Sequence, residues 1–117
     1  KTTIGSEVIE AKTLMILVGL CQYSGGGMQL TKTPNTTDGL FDISVAKNIG
    51  KLDIIKSVLS LFNGSIVNHK KVSTYKNEMI NIEITENHKP YIQADGELIG
   101  KGDIEVKIIP KAFSYYY

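Results

Sequence analysis

The stretch LFDISV, residues 40–45, decides the fold class because apolar and polar residues alternate along it from Phe41 onward. Phe, Ile and Val occupy the odd-numbered positions, and Asp and Ser lie between them. Alternation with a period of two is typical of a half-buried antiparallel strand. Residues 79–85 and 104–108 alternate in the same way. The continuous apolar run in residues 12–19 predicts a further strand that is covered on both faces.

One segment of the chain has a different period. Between residues 51 and 62, apolar side chains recur at intervals of three or four, which predicts an amphipathic helix. They are Leu52, Ile55, Val58, Leu59 and Phe62. Asn48 or Gly50 can begin this helix, and the Asn-Gly pair that follows can end it. We therefore predict a mainly β, two-layer antiparallel β-sandwich-like domain, with one amphipathic helix at about residues 50–63 packed against it.

Length and composition favour one globular domain without a strong electrostatic field. The chain has 117 residues and a net charge of +1, so it offers no general attraction for nucleic acid. All 13 basic residues are Lys, and without the bidentate fork of Arg the chain is poorly equipped to bind ATP unaided. Its single Cys excludes an internal disulfide and a thiolate zinc site.

The sequence contains no recognisable targeting or membrane-spanning segment. No apolar run approaches the ~20 residues that cross a bilayer, and no signal-peptide pattern precedes the first strand. The chain begins at Lys1 rather than Met, so we expect an excised domain or a processed chain. We expect it in the cytoplasm, with any lipid contact peripheral at the membrane surface.

Gly25, Gly26 and Gly27 form an unusual backbone segment. Without Cβ atoms, this backbone can approach a substrate or an adjacent domain closely. The alternative is a bulged or flexible hairpin, which the spacing alone favours. No Gly-Lys-Ser or Gly-Lys-Thr follows, so the segment is not a phosphate loop.

Asp38 precedes a glycine in a polar loop and is a candidate cation ligand. A carboxylate with main-chain oxygens beside it can hold magnesium, which takes one or two carboxylates and keeps several waters. The alternative, favoured by the residue types alone, is that Asp38 only makes an Asx-type turn.

Asp95 and Glu97 flank Gly96 in a predicted two-residue hairpin turn. A carboxylate near a substrate hydroxyl can accept its proton as the oxygen attacks phosphorus, or can reach magnesium through a water. The alternative is an ordinary solvated Asp-Gly hairpin.

Other chemistry-bearing residues give weaker signals. His69 and His88 lie in polar stretches, and we expect both at the surface. Cys21 lacks basic neighbours, so we expect a small core or edge side chain rather than a nucleophile. The pair Lys70-Lys71 can touch an anionic membrane, although adjacent lysines usually mark a solvated turn.

Taken in order, these motifs resemble the carboxy-terminal half of the diacylglycerol kinase catalytic family, whose soluble lipid kinases include sphingosine and ceramide kinases. The resemblance covers residues 14–113. Its parts are an apolar strand, the three glycines, Pro34, Asp-Gly-Leu-Phe-Asp at 38–42, a helix, Gln-Ala-Asp-Gly-Glu at 93–97 and a closing Pro-Lys-Ala at 110–112.

The resemblance implies a two-domain kinase that uses ATP and Mg²⁺. The family's amino-terminal domain carries a Gly-Gly-Asp-Gly-Thr nucleotide motif, a string that this chain lacks. Residues 1–117 would then be the carboxy-terminal β-sandwich domain that faces the ATP cleft and contacts lipid.

The same resemblance implies roles for individual residues. Asp38 would bind a structural magnesium ion together with main-chain oxygens of Asn35 and Leu40. Glu97 would accept the proton of the lipid hydroxyl, and Asp95 would support it through water or metal. The three glycines would line the cleft. One departure is that the family commonly has Asn just after the glycine of its first strand, where this chain has Leu and Cys, which bears on the lipid accepted.

These features predict the lipid-side domain of an ATP-dependent lipid kinase that is inactive in isolation. Diacylglycerol is the first candidate substrate; a sphingoid base, ceramide and phosphatidylglycerol stay open. Expected partners are the lipid, the chain's own nucleotide-binding domain, a membrane surface and, through apolar surface left by a missing domain, a second copy. Two alternatives also stay open: a non-catalytic β-sandwich binding module and a kinase-like regulator with an inactive cleft.

Overall fold

The computed structural model describes residues 1–24, 28–29, 31–32 and 35–112, with side chains throughout these ranges except at 24, 56–59 and 61–62. The strands, in chain order, are β1 Thr2–Ile4, β2 Glu7–Ile9, β3 Thr13–Gly19, β4 Tyr23–Ser24, β5 Met28–Gln29, β6 Phe41–Lys47, β7 Val72–Asn77, β8 Met79–Ile82, β9 Tyr91–Ala94, β10 Glu97–Lys101 and β11 Ile104–Lys107. The helix α1 (Lys51–Phe62) and a short 3₁₀ helix (Ser65–Asn68) lie between β6 and β7. The predicted fold class, mainly β with one short helix, is confirmed.

Two antiparallel sheets form the two layers. One has the strand order β11-β8-β1-β2, and the other has the order β3-β6-β7. The core forms where Ile4 and Ile80 of the first sheet pack against Ile43 and Val45 of the second. Two shorter pairs, β4-β5 and β9-β10, complete the described strands. The alternating segments thus form β6, β8 and β11, each with its apolar side toward this core.

The structure reverses the expected coverage of two strands. The run in residues 12–19 forms β3, but Leu14 and Met15 are 56% and 46% exposed, so the prediction of cover on both faces is wrong there. Among the described residues, β3 is the outer strand of its sheet and pairs with β6 alone, so its side chains have neighbouring strand side chains on one side and are less covered. The central strand β6 is instead buried from residue 42 to 46, on both faces.

The helix has the predicted bounds and termini. It is capped at Gly50, whose N–H donates to Asp53 Oδ2 at 3.1 Å, and it is followed by Gly64 in a left-handed conformation (φ 74°). The expected packing of its apolar face is wrong for the described side chains, since Leu52 and Ile55 are 72% and 70% exposed. The helical period shows which residues share a face but not which element covers that face.

Another apolar residue of the helix, Ile54, lies near the outer face of the β3-β6-β7 sheet. It helps to line an apolar cavity of about 210 Å³, together with Leu17 and Ala46 of the sheet and Val67 of the 3₁₀ helix. Among the described residues, no helix is long and apolar enough to span a membrane.

An ion pair ties the start of α1 to the sheet. Lys71, just before β7, donates to Asp53 Oδ2 at 2.7 Å. This hydrogen bond, together with the one from the Gly50 N–H, holds the pKa of Asp53 below its ordinary value of 3.8. A carboxyl group with a depressed pKa adds stability above its unfolded-state pKa and loses it as the pH falls through its folded-state pKa.

We expect Asp53→Asn to lower the melting temperature at neutral pH by a few degrees at most, because the pair is partly solvated. The difference from wild type should shrink as the pH falls below about 4, because the wild-type carboxylate becomes protonated and loses the charge that the variant already lacks. Thermal melts across a pH series measure it, with the exposed Glu86→Gln as the matched control. A difference that is independent of pH would contradict the assignment.

Candidate functional site

A cleft of about 370 Å³ opens where β3 ends. Residues 17–23 form one wall, and Thr31, Phe41 and Asp95 complete the lining. Asp95 therefore lies in the cleft lining beside apolar residues of the sheet. The three glycines predicted to line a cleft come soon after this wall in the chain, but they lie outside the described residues.

The turn that carries Asp95 has the predicted hairpin form. Asp95 and Gly96 both have positive φ, 49° and 89°, as in the primed turns that match strand twist. Glu97 begins β10 opposite Ala94 and is exposed. Of the two candidate carboxylates, Asp95 lines the cleft, whereas Glu97 lies on the other side of the turn and is not part of the lining.

Thr31 is a buried part of the cleft lining that stabilises the neighbouring wall. Its side chain is 2% exposed, and its hydroxyl donates to the main-chain oxygen of Cys21 at 2.8 Å. Its methyl group lies beside Gly19, where an added Cβ would come within 3.5 Å of it. The sequence offers no signal for this contact, because it joins two residues that are ten positions apart and no motif links them.

Two side chains shape the loop that precedes β6. Asn35 Oδ1 accepts hydrogen bonds from the Thr37 N–H at 2.9 Å and the Thr37 hydroxyl at 2.7 Å. Asp38 Oδ1 accepts from the Leu40 N–H at 3.0 Å, which is the Asx-type turn considered from the sequence. The second carboxylate oxygen of Asp38 is left to face the sheet.

That oxygen belongs to a charged group that we call the carboxylate cluster, formed by Asp38, Asp42 and Lys76. Lys76 Nζ lies 2.8 Å from Asp38 Oδ2 and 3.6 Å from Asp42 Oδ2. The hydrogen bond from Lys76, with a smaller contribution from the Leu40 N–H, lowers the pKa of Asp38. The same hydrogen bond to Asp38 raises the pKa of Lys76.

Asp42 is the unusual member of the cluster. It is 4% exposed, and its Oδ2 is buried without a hydrogen-bond donor among the described residues. A buried polar atom without a partner is costly and uncommon in native proteins. The alternation of residues 40–45 placed Asp42 opposite the apolar face, but it gave no sign that this side would also be covered.

The cluster fits a small hard cation in its chemistry. Two carboxylate oxygens lie within 4 Å of one ammonium nitrogen, and Mg²⁺ prefers one or two carboxylates supplemented by water and carbonyl oxygens. Among the described residues, no three His, Cys, Asp or Glu side chains are grouped to hold a metal. The predicted magnesium ligands Asn35, Asp38 and Leu40 lie in one loop, and their role as ligands stays a prediction.

Cross-strand pairing brings the cluster next to the cleft. Asp42 of β6 pairs with Lys76 of β7 on one side and with Gly19 of β3 on the other. Directly paired residues lie about 4.5–5.5 Å apart, and Gly19 is itself part of the cleft wall. One row of residues across the sheet therefore joins the two features.

The weaker candidates are distributed around these features. Cys21 is exposed and lines the cleft just beyond the edge strand β3, so it is not a core residue. His88 is exposed as expected. His69 is half-buried instead, and its Nδ1 accepts from the Lys71 N–H at 3.2 Å, which gives it a local structural contact.

Comparison with known proteins gives a consistent match. Residues 1–116 match the sequence family described as the YegS C-terminal NAD kinase beta sandwich-like domain. A protein named diacylglycerol kinase from Mycobacterium tuberculosis is 25% identical over 108 residues, which are 92% of this chain and 34% of that protein. An uncharacterized protein of Synechocystis sp. is 33% identical over 84 residues, 68% of this chain and 19% of that protein. The chain thus spans about a third or less of these relatives.

We expect Thr31→Val to reduce the free energy of unfolding by about 1 kcal/mol, because the main-chain oxygen of Cys21 loses its buried donor. Thr31→Ser keeps the hydroxyl and should retain most of that contribution. Urea unfolding measures both variants. Equal stability of Thr31→Val and wild type would show that this hydrogen bond does not stabilise the cleft wall.

Proposed function

Because this chain belongs to the family of YegS C-terminal NAD kinase beta sandwich-like domains, we propose that it is the lipid-side domain of an ATP-dependent lipid kinase. Relatives of about three times its length carry the name diacylglycerol kinase, which supports diacylglycerol as the substrate. The remaining part of such a protein would bind the nucleotide. The 117-residue chain alone would then be inactive.

One observation carries the proposal, namely that the acidic residue Asp95 lies in the lining of a cleft with apolar walls. Lipid phosphorylation needs a surface that accepts apolar parts of a substrate and a polar group near its hydroxyl. Leu17, Leu20 and Phe41 offer the apolar surface, and Asp95 offers the polar group. The β9-β10 hairpin holds Asp95 by a regular turn.

The proposed reaction is a direct phosphoryl transfer. The lipid hydroxyl oxygen would attack the γ-phosphorus of ATP, the bond to the β,γ-bridging oxygen would break, and ADP would leave. The hydroxyl proton would pass to a carboxylate of the hairpin. Family resemblance favours Glu97 as the proton acceptor, with Asp95 in a supporting role. Because Asp95 lines the cleft, we propose it as the alternative proton acceptor.

Magnesium bound near Asp38 would supply fixed positive charge beside the cleft. Asp38 and main-chain oxygens of Asn35 and Leu40 are the proposed ligands, and Asp42 is within reach of the same position. The chain's own part in this is to hold the loop through its two Asx-type turns.

The nature of the substrate requires contact with a bilayer. Diacylglycerol is insoluble in water and presents its hydroxyl at the membrane surface. We therefore propose that the full-length protein works as a peripheral protein on the cytoplasmic side. A non-catalytic binding module remains the alternative, and the mutations below separate the two.

In the full-length protein that contains this chain, we expect Glu97→Gln or Asp95→Asn to lower lipid phosphorylation by about 10²–10⁴-fold, the usual effect of removing a proton acceptor. Lipid kinase assays with ATP and diacylglycerol in mixed micelles measure the rate, and circular dichroism checks the fold. The exposed Glu105→Gln on β11 is the matched control.

The pattern of loss identifies the proton acceptor. The carboxylate whose removal lowers the turnover rate most, at unchanged substrate KM, is the acceptor, and a smaller loss at the other marks support. Near-normal turnover in both variants would overturn the proposed catalytic hairpin. Phosphorylation by the 117-residue chain alone would overturn the division of labour between two domains.

Cys21 allows the cleft itself to be tested. It is the only Cys of the chain, it is exposed, and it lines the cleft. We expect a short-chain diacylglycerol to slow its alkylation by maleimide several-fold, because bound lipid would cover it. A Cys21→Ser, Ser6→Cys double variant, labelled at an exposed turn residue that is not part of the cleft lining, should show no protection. Equal rates with and without lipid at Cys21 would place the lipid elsewhere.

A further inference from the structure

The carboxylate cluster is arranged as a single cation position that a lysine already fills. We propose that Lys76 is an internal counter-ion for Asp38 and Asp42, and that its ammonium group competes with a divalent cation for that position. This inference rests on the proposed magnesium site and adds to it a competing residue, Lys76, and a further ligand, Asp42.

The distances show that Lys76 satisfies one carboxylate and not the other. Its Nζ is 2.8 Å from Asp38 Oδ2, a full hydrogen bond. It is 3.6 Å from Asp42 Oδ2, beyond the usual limit of about 3.2 Å for an N–H···O hydrogen bond. The buried oxygen of Asp42 therefore has an attractive charge nearby but no donor among the described residues.

A metal ion would satisfy both oxygens where an ammonium group satisfies one. Two monodentate carboxylates, completed by carbonyl oxygens or water, are a common donor set for Mg²⁺. Asp42 is held in place by its strand pairs, and Asp38 is held by the hydrogen bond from the Leu40 N–H. The main chain of Asp42 and the Oδ1 atom of Asp38 are thus positioned by contacts other than the Lys76 ammonium group.

Lys76 can leave without disturbing the sheet. Its side chain is 31% exposed, on a strand whose backbone pairs with β6. A lysine ammonium is a strongly hydrated point charge on a flexible stem, so its movement into solvent recovers hydration. Its presence at the position opposes a second cation by direct charge repulsion, and its removal should raise metal affinity.

The experiment measures Mn²⁺ binding to the 117-residue chain by electron paramagnetic resonance, with Mn²⁺ as the probe for the site. We expect Lys76→Gln to bind Mn²⁺ at least about tenfold more tightly than wild type, the effect that one unit charge at this range has on a neighbouring ionisable group. Lys71→Gln removes an equivalent lysine from the pair with Asp53 and should bind as wild type does. Circular dichroism confirms that each variant is folded.

Two further variants test the cause of the gain. Lys76→Arg keeps the positive charge and should bind Mn²⁺ no more tightly than wild type. Asp42→Asn, combined with Lys76→Gln, should lose the gain because a buried ligand has been removed. Magnesium chloride should raise the melting temperature of Lys76→Gln more than that of wild type, with potassium chloride at matched ionic strength as the control.

The outcomes separate this inference from the proposed function. Equal Mn²⁺ affinity of wild type and Lys76→Gln would overturn the competition and leave a magnesium site intact. Binding by neither protein would overturn both the competition and the site at Asp38. Lipid kinase activity of the full-length protein is measured separately, so its presence or absence decides the proposed function and not the role of Lys76.

Discussion

Strand β6 is hydrogen-bonded along both edges and covered on both faces, and this enclosure positions the other features of the domain. Its inner side chains, Ile43 and Val45, are 1% and 0% exposed and meet Ile4 and Ile80 of the opposite sheet. Burial of an aliphatic side chain of this size contributes about 1.5–3 kcal/mol. The outer face of the same strand carries Asp42, so the core that holds the sheets together also fixes a carboxylate under cover.

Much of the fold can be predicted from the sequence because its main signals are local. Alternation identifies β6, β8 and β11, and an Asp-Gly pair identifies the β9-β10 turn. The helix ends at the Asn63-Gly64 pair, as predicted, and Gly64 has a positive φ. The three-residue strands β1 and β2 are too short to display a period. The sequence also failed to predict which faces of β3 and α1 are covered. Coverage depends on which elements pack together in space.

The candidate site divides in the same way. The Asx-type turn at Asp38 and the hairpin turn at Asp95 join residues two and three positions apart, and residue types alone predict them. The roles of Lys76 and Thr31 could not be predicted, because their contacts join residues that are 38 and 10 positions apart in the sequence. Strand register decides that Lys76 lies opposite Asp42, and register depends on the whole set of buried side chains.

The presence of the carboxylate cluster on the outer face of the β3-β6-β7 sheet is not explained by a contribution to stability. A well-packed apolar set at such positions often stabilises a protein as much as an ion pair does or more, since charges lose hydration when they are buried. Asp42 keeps an oxygen without a donor among the described residues, which adds to that cost. Local departures from good packing of this kind are expected at functional sites. The row of paired residues passes from Lys76 through Asp42 to Gly19 in the cleft wall, so the backbone of β6 connects the carboxylate cluster to the cleft.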